Sequence, residues 1–115
     1  MRIDFNQIQE MTMPCGYEGT GEMSARFFAG EGGKLISCRI HGSIGLHSHP
    51  ASDDVNFVLL GTGLAICDGQ EEPLEPGVCH ICKKGSEHSI QNTGEGDLAL
   101  LTLVVERGEG RENDT

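Results

Sequence analysis

His47-Ser48-His49-Pro50-Ala51-Ser52-Asp53-Asp54-Val55, running on through Asn56-Phe57-Val58-Leu59-Leu60-Gly61, is the stretch from which the fold can be read. Two histidines one residue apart on an extended segment face the same way, because strand side chains repeat with a period of two. They can therefore grip one ion. Past a turn at Pro50 comes a carboxylate, Asp54, and then an apolar run, Val55 to Leu60, that stops at Gly61. Imidazole and carboxylate together suit a borderline divalent transition metal, whereas calcium prefers an all-oxygen shell. A metal site is thus legible before any reaction is.

The rest of the chain limits what that site can serve. With 115 residues the chain is expected to form one domain that can bury a core without disulfide staples. Eight basic against 18 acidic residues give a formal charge of −10, which opposes phosphate backbones and anionic membranes, so no nucleic-acid partner and no membrane are expected. No apolar run reaches the ~18 residues of a membrane span, and residues 1–17 lack the basic start and apolar stretch of a signal peptide. A cytoplasmic protein is the expectation. Five scattered cysteines (Cys15, Cys38, Cys67, Cys79, Cys82) form an odd set, expected to be free thiols in a reducing compartment. Seventeen glycines, few aromatic residues and no Trp fit short strands and tight turns better than a helix bundle.

Residues 1–22 read as an N-terminal arm and loop: Ile3, Phe5 and Ile8 sit among polar residues, and Met11 to Glu22 is rich in Gly, Thr and Pro. Strands are expected over Met23 to Ala29 and Lys34 to Ile40, joined by a hairpin at Glu31-Gly32-Gly33. The histidine strand, Asp54 to Leu60, Leu64 to Cys67, Val78 to Cys82, His88 to Gln91 and Leu98 to Val105 follow. Asp68-Gly69 is a strong hairpin signal, and Glu71 to Gly77, with two prolines, reads as a connection. Leu98 to Val105 is almost continuously apolar, expected to be buried on both faces or to lie at a subunit contact. Residues 107–115 hold charge and glycine and are expected to be a mobile, disordered tail. Roughly nine short strands argue for an all-β sandwich or barrel.

A second constellation lies downstream: Gly77, Lys83, Lys84, Gly85, His88 and Asn92. Gly85 lets the backbone turn sharply before a strand whose first inward side chain would be His88. With both stretches on view, the chain resembles the cupin superfamily, whose first motif is glycine, five residues, His-x-His, three or four residues, Glu, six residues, Gly. The second is glycine, five residues, Pro-x-Gly, two residues, His, three residues, Asn. His47, His49, position 54, Gly61, Gly77, Gly85, His88 and Asn92 match in type or spacing. The departures are Asp54 in place of Glu, shorter by one methylene or ~1.5 Å, Lys83 in place of Pro, and Gly42 one residue too close to His47. The resemblance implies an antiparallel jelly-roll β-barrel (a double-stranded β-helix) in a single domain, with the bounds 23–106. It implies a metal held by His47, His49 and His88, with Asp54 either a direct ligand or a group orienting a histidine or a water.

Four further positions bear on the site. His80 shares a face with Val78 and Cys82 and is expected inside the barrel, either as a core histidine bonded to a backbone carbonyl or as a catalytic acid, base or ligand contact. Asn56 shares Asp54's face, so its amide could hydrogen-bond a ligand. Asp53 points the other way and is expected to be solvated. Cys79 and Cys82, three apart on a strand, face opposite sides and cannot form a CxxC site. Arg26 and Arg39 are expected on the outside of the sheet, though facing inward either could pair with an anionic substrate.

Three neutral imidazoles and one carboxylate on a divalent ion (zinc, manganese, iron or nickel) leave about one positive charge and, with octahedral coordination, two open positions. That suits Lewis-acid chemistry on an anionic oxygen donor, as in isomerases, lyases and decarboxylases, and with iron it suits dioxygenases. The expectation is a metal-dependent enzyme acting on a low-molecular-weight anionic metabolite. The alternative is a non-catalytic small-ligand binding or sensing protein with structural metal. The resemblance also implies a homodimer, formed through the apolar outer sheet and the N-terminal arm.

Overall fold

The structure, a computed structural model, describes residues 1–107. A 3-10 turn at Phe5–Gln7, capped by the Asp4 side chain accepting from the Asn6 N–H, precedes ten strands. These are β1 (Met11–Pro14), β2 (Glu22–Gly30), β3 (Gly33–Ile40), β4 (Ser43–Ser48), β5 (Ser52–Leu60), β6 (Gly63–Cys67), β7 (Gln70–Leu74), β8 (Cys79–Cys82), β9 (Glu87–Asn92) and β10 (Leu98–Glu106). They form two antiparallel sheets, one ordered β1-β2-β3-β10-β5-β8 and the other β4-β9-β6-β7. Two packed antiparallel sheets are what the turn spacing predicts, and their order is the jelly-roll arrangement that the resemblance implies.

Alternation along the strands builds the core between the sheets. Ala25, Ile40, Val58, Ala65, Leu74, Ile90, Leu98 and Leu100 are buried there. The opposite faces of β5, β8 and β10 carry Phe57, Leu59, Ile81, Leu101 and Leu103, all exposed in the single chain. Of the two expectations for residues 98–105, burial on both faces therefore does not hold in one chain.

Turn chemistry follows the backbone signs. Asp68 and Gly69 both take positive φ (49° and 81°), as a two-residue hairpin loop requires. The first hairpin is tighter than expected, with Glu31-Gly32 as its loop and Gly33 already in β3.

Two segments read as irregular are strands. Met11–Pro14 pairs with β2 in the register Met11↔Ala25 to Pro14↔Glu22, and the Thr12 and Ser24 hydroxyls meet at 3.2 Å. Gln70–Leu74 pairs with β6 despite Pro73. Because β7 is an edge strand, a residue without an N–H is tolerated there. The C-terminal tail falls outside the described residues except for Arg107, which is tied back to Asp53 at 2.7 Å.

Candidate metal centre

Both sheets and the turn between them contribute to one cluster. His47 on β4 and His88 on β9 are direct cross-strand partners. Their Nε2 atoms stand 2.9 Å apart. Asp54 projects from β5 in the other sheet, and its Oδ2 lies 3.0 Å from His49 Nε2 and 3.8 Å from His88 Nε2. His49 follows β4 directly, where the chain crosses between the layers. One ligand atom from each of His47, His49, Asp54 and His88 can be chosen so that all four lie within 4.8 Å of one another.

The polar atoms in this cluster are arranged for a cation. The His47 Nδ1–H donates to the Gly45 carbonyl at 2.8 Å, which leaves the Nε2 lone pair pointing at the equivalent nitrogen of His88. Where His88 Nε2 also carries its lone pair, the two repel unless a positive ion lies between them. Ligand nitrogens bound at ~2.1 Å and at right angles stand ~3 Å apart, the separation found here. Asp54 Oδ2 faces the histidine nitrogens while Oδ1 is buried without a hydrogen-bond partner, so the carboxylate charge is poorly compensated in the protein alone and a metal ion at the cluster would neutralise it. The residues therefore fit a divalent metal.

The electrostatics agree. Burial, reinforced by the neighbouring His47, His80 and His49, pushes the His88 pKa down to about 3, and burial lowers that of His47. Both rings are neutral donors at physiological pH. Burial raises the Asp54 pKa, and the surrounding histidines only partly oppose the shift.

The cluster lines a cup of about 720 Å³. Its wall is largely apolar, with Met13, Met23, Phe27, Ile36, Ile44 and Leu100. Lys34 and Arg107 are its only Lys or Arg residues among those described. Arg26 and Arg39 do not line it; Arg39 instead pairs with Glu10 at 2.6 Å. Asn56 does line the cup, and its Nδ2 is buried without a partner while Oδ1 accepts from the Thr102 hydroxyl at 2.8 Å.

Several expectations need correcting. His80 is inside the barrel, 1% exposed, but it does not line the cup. Its expected backbone-carbonyl partner is replaced by the Glu72 carboxylate at 2.6 Å from Nδ1, and Nε2 lies 3.3 Å from His88 Nδ1. Asp53 is not simply solvated: it accepts from the Lys84 N–H at 2.8 Å and from Arg107, and these contacts, the Lys84 N–H foremost, lower its pKa. Cys79 is exposed and Cys82 buried, as alternation requires, and Cys82 Sγ approaches Cys67 Sγ at 3.8 Å. Burial pushes the Cys82 thiol up to about 12, so it is a poor nucleophile. Asn92 closes its turn, donating to the Ile40 and Gly96 carbonyls and accepting from the Gly94 N–H.

Two contributors escape a sequence reading. Tyr17 stacks on His47 with ring centroids 4.0 Å apart and planes 6° from parallel. It sits in a turn where Tyr17 and Glu18 both take positive φ (58° and 60°), a conformation unfavourable to side chains. Gly45 permits this approach, since a Cβ there would lie 1.8 Å from the Tyr17 carbonyl oxygen. Glu72 is the other; only the contact between the two sheets brings it to His80.

Comparison with known proteins follows the same line. The family model described as "Cupin domain" matches residues 37–105. An oxalate-binding protein of Thermotoga maritima is 35% identical over 63 residues, 55% of this chain and 52% of that protein. The uncharacterized protein MJ1618 of Methanocaldococcus jannaschii is 26% identical over 98 residues, 85% of this chain and 71% of that protein. The chain thus matches about half the length of the first of these relatives. The crystal structure of a predicted oxalate decarboxylase from Thermotoga maritima superposes with a TM-score of 0.84 at 24% identity, covering 92% of this chain and 99% of that one. KdgF from Halomonas sp. superposes with a TM-score of 0.67 at 18% identity, covering 76% and 81%. At these identities the superpositions establish the fold alone.

Proposed function

The chain belongs to the cupin family, and on that footing we propose that it uses a divalent transition metal, held by His47, His49, Asp54 and His88, to bind a low-molecular-weight anionic metabolite. The observation that carries this reading is the convergence of four donors, with Asp54 Oδ1 orphaned, on the lining of an open cup. A bound divalent ion would supply Lewis-acid polarisation of a carboxylate, enolate or hydroxy-ketone oxygen. The chain's own residues do the rest. The apolar wall excludes water from the bound anion and strengthens the electrostatics around the four donors. Asn56 Nδ2 donates to the ligand, and Tyr17 covers His47 and restricts access from that side.

We assign the reaction to the isomerase, lyase, decarboxylase or dioxygenase type. The relative and the structural neighbour described by oxalate point to a small oxygen-chelating anion as the first ligand to test. A second reading, ligand binding without turnover, is favoured by the printed name of the oxalate-binding relative. One experiment separates them: elemental analysis of purified protein, then calorimetric titration of the metal-loaded form with oxalate and recovery of the anion. Loss of oxalate with release of carbon dioxide supports the enzyme, and tight binding with quantitative recovery supports the binding protein. Absence of both metal and oxalate binding would refute the proposal.

We propose further that two copies pair through the outer face bearing Phe57, Leu59, Ile81, Leu101 and Leu103, an apolar patch of a kind that single soluble domains seldom leave open. A cytoplasmic setting accords with five free cysteines.

A further inference from the structure

Behind the metal centre a hydrogen-bonded line runs from the surface to the back of His88. Glu72, half-exposed on the edge strand β7, places Oε1 2.6 Å from His80 Nδ1. His80 in turn places Nε2 3.3 Å from His88 Nδ1. Each link dictates the next. An ionised carboxylate only accepts, so the proton between Glu72 and His80 is on His80 Nδ1. In the neutral ring Nε2 then carries the lone pair, so the proton between the two histidines is on His88 Nδ1. That leaves the His88 Nε2 lone pair free, 2.9 Å from His47 Nε2. An imidazole free to choose would as readily protonate Nε2 and turn a hydrogen toward the site.

We propose that Glu72 and His80 are positioning residues that fix the tautomer and ring orientation of His88 and so present its Nε2 to the metal. The inference rests on the metal reading above and adds two residues to it. The need for His80 to be histidine follows from its place. An apolar side chain would fill the buried position on β8 with no polar group to satisfy, whereas the imidazole draws in a carboxylate from the other sheet and spends its second nitrogen on a ligand. The carboxylate–imidazole–imidazole order has a direction, because only the Glu72 end is acceptor-only.

The test uses three variants of the full chain. Glu72→Ala removes the acceptor from a half-exposed edge position. His80→Leu removes the relay. His80→Gln retains a side-chain oxygen able to accept from His88 Nδ1–H. Zinc affinity, measured by competition with a chromophoric chelator, is expected to fall about 10- to 100-fold in Glu72→Ala and His80→Leu, the usual loss when such a partner is removed, and to recover most of that loss in His80→Gln. Nitrogen-15 spectra of the metal-free protein should show His88 protonated on Nδ1 in the wild type and a mixture of tautomers in Glu72→Ala.

Zinc affinity in Glu72→Ala within twofold of wild type, or a wild-type His88 carrying its proton on Nε2, would overturn the proposal. If the wild type bound no zinc, manganese, iron or nickel, the metal reading would fall. The nitrogen spectra alone would then uphold or overturn the tautomer assignment.

Discussion

Asp54→Asn separates folding from ligation. In the metal-free protein the Asp54 side chain is 9% exposed, with Oδ2 3.0 Å from His49 Nε2 and Oδ1 buried without a partner. Leaving a buried acceptor unsatisfied costs ~1–3 kcal/mol, and the one hydrogen bond returns ~0.5–1.5 kcal/mol. The balance is about 1 kcal/mol against the carboxylate, consistent with the upward shift of its pKa by burial. An amide of the same shape has no charge to desolvate, so metal-free Asp54→Asn should be more stable by about 1 kcal/mol, or ~4 °C in Tm for a domain of this size. Zinc should reverse the order. At a concentration of about 100 Kd the wild type gains ~2.7 kcal/mol. A variant weakened about 100-fold by loss of the anionic donor gains only ~0.4 kcal/mol at the same zinc concentration. Thermal denaturation after chelator dialysis, repeated across a zinc titration, should give curves that cross. A metal-free variant less stable than wild type would mean the carboxylate is a satisfied structural group, and the argument from its orphaned oxygen would fail.

Ala at His47, His49 or His88 should each strip bound metal, read by elemental analysis of dialysed protein; retention of a full equivalent in any one would remove that residue from the ligand set. For pH dependence, His88 stays neutral in the fold down to about 3 while the unfolded side chain titrates near 6.5. Its contribution is therefore complete above pH ~6.5 and is lost as the pH falls from there toward 3, by ~1.4 kcal/mol per pH unit. Urea denaturation of metal-free protein should show that slope, and His88→Leu should reduce it. Gly45→Ala forces a Cβ to within 1.8 Å of the Tyr17 carbonyl oxygen and should destabilise by ~2–3 kcal/mol, with loss of the Tyr17 stack visible in near-ultraviolet circular dichroism. Light scattering should give twice the chain mass, and Leu101→Glu, on the outer face of β10, should give one; a wild-type monomer at micromolar concentration would refute the pairing.

What could be read from the sequence was what strand periodicity encodes. His47 and His49 share a side because they are two apart, and Asp54 and Asn56 share one for the same reason. Both pairs point into the cup. His88 was placed by its spacing from Gly85, and it pairs directly with His47. The opposite orientations of Cys79 and Cys82 came from the same alternation. What escaped depends on contacts distant in sequence. Met-Thr-Met-Pro becomes a strand only because β2 offers it an edge. Gln70–Leu74 keeps Pro73 only because it lies at the rim of its sheet. Glu72 reaches His80 across the gap between the sheets, and Tyr17 reaches His47 only because Gly45 carries no side chain. No local pattern marks either residue.

The cluster draws His47 and His88 from one layer and Asp54 from the other. An ion bound there is a rivet through the sandwich, and prising the layers apart means breaking its bonds. Loading should then slow amide hydrogen exchange in β5 and β10 as well as in β4 and β9. A site that only decorated the cup mouth would leave the far sheet's exchange untouched.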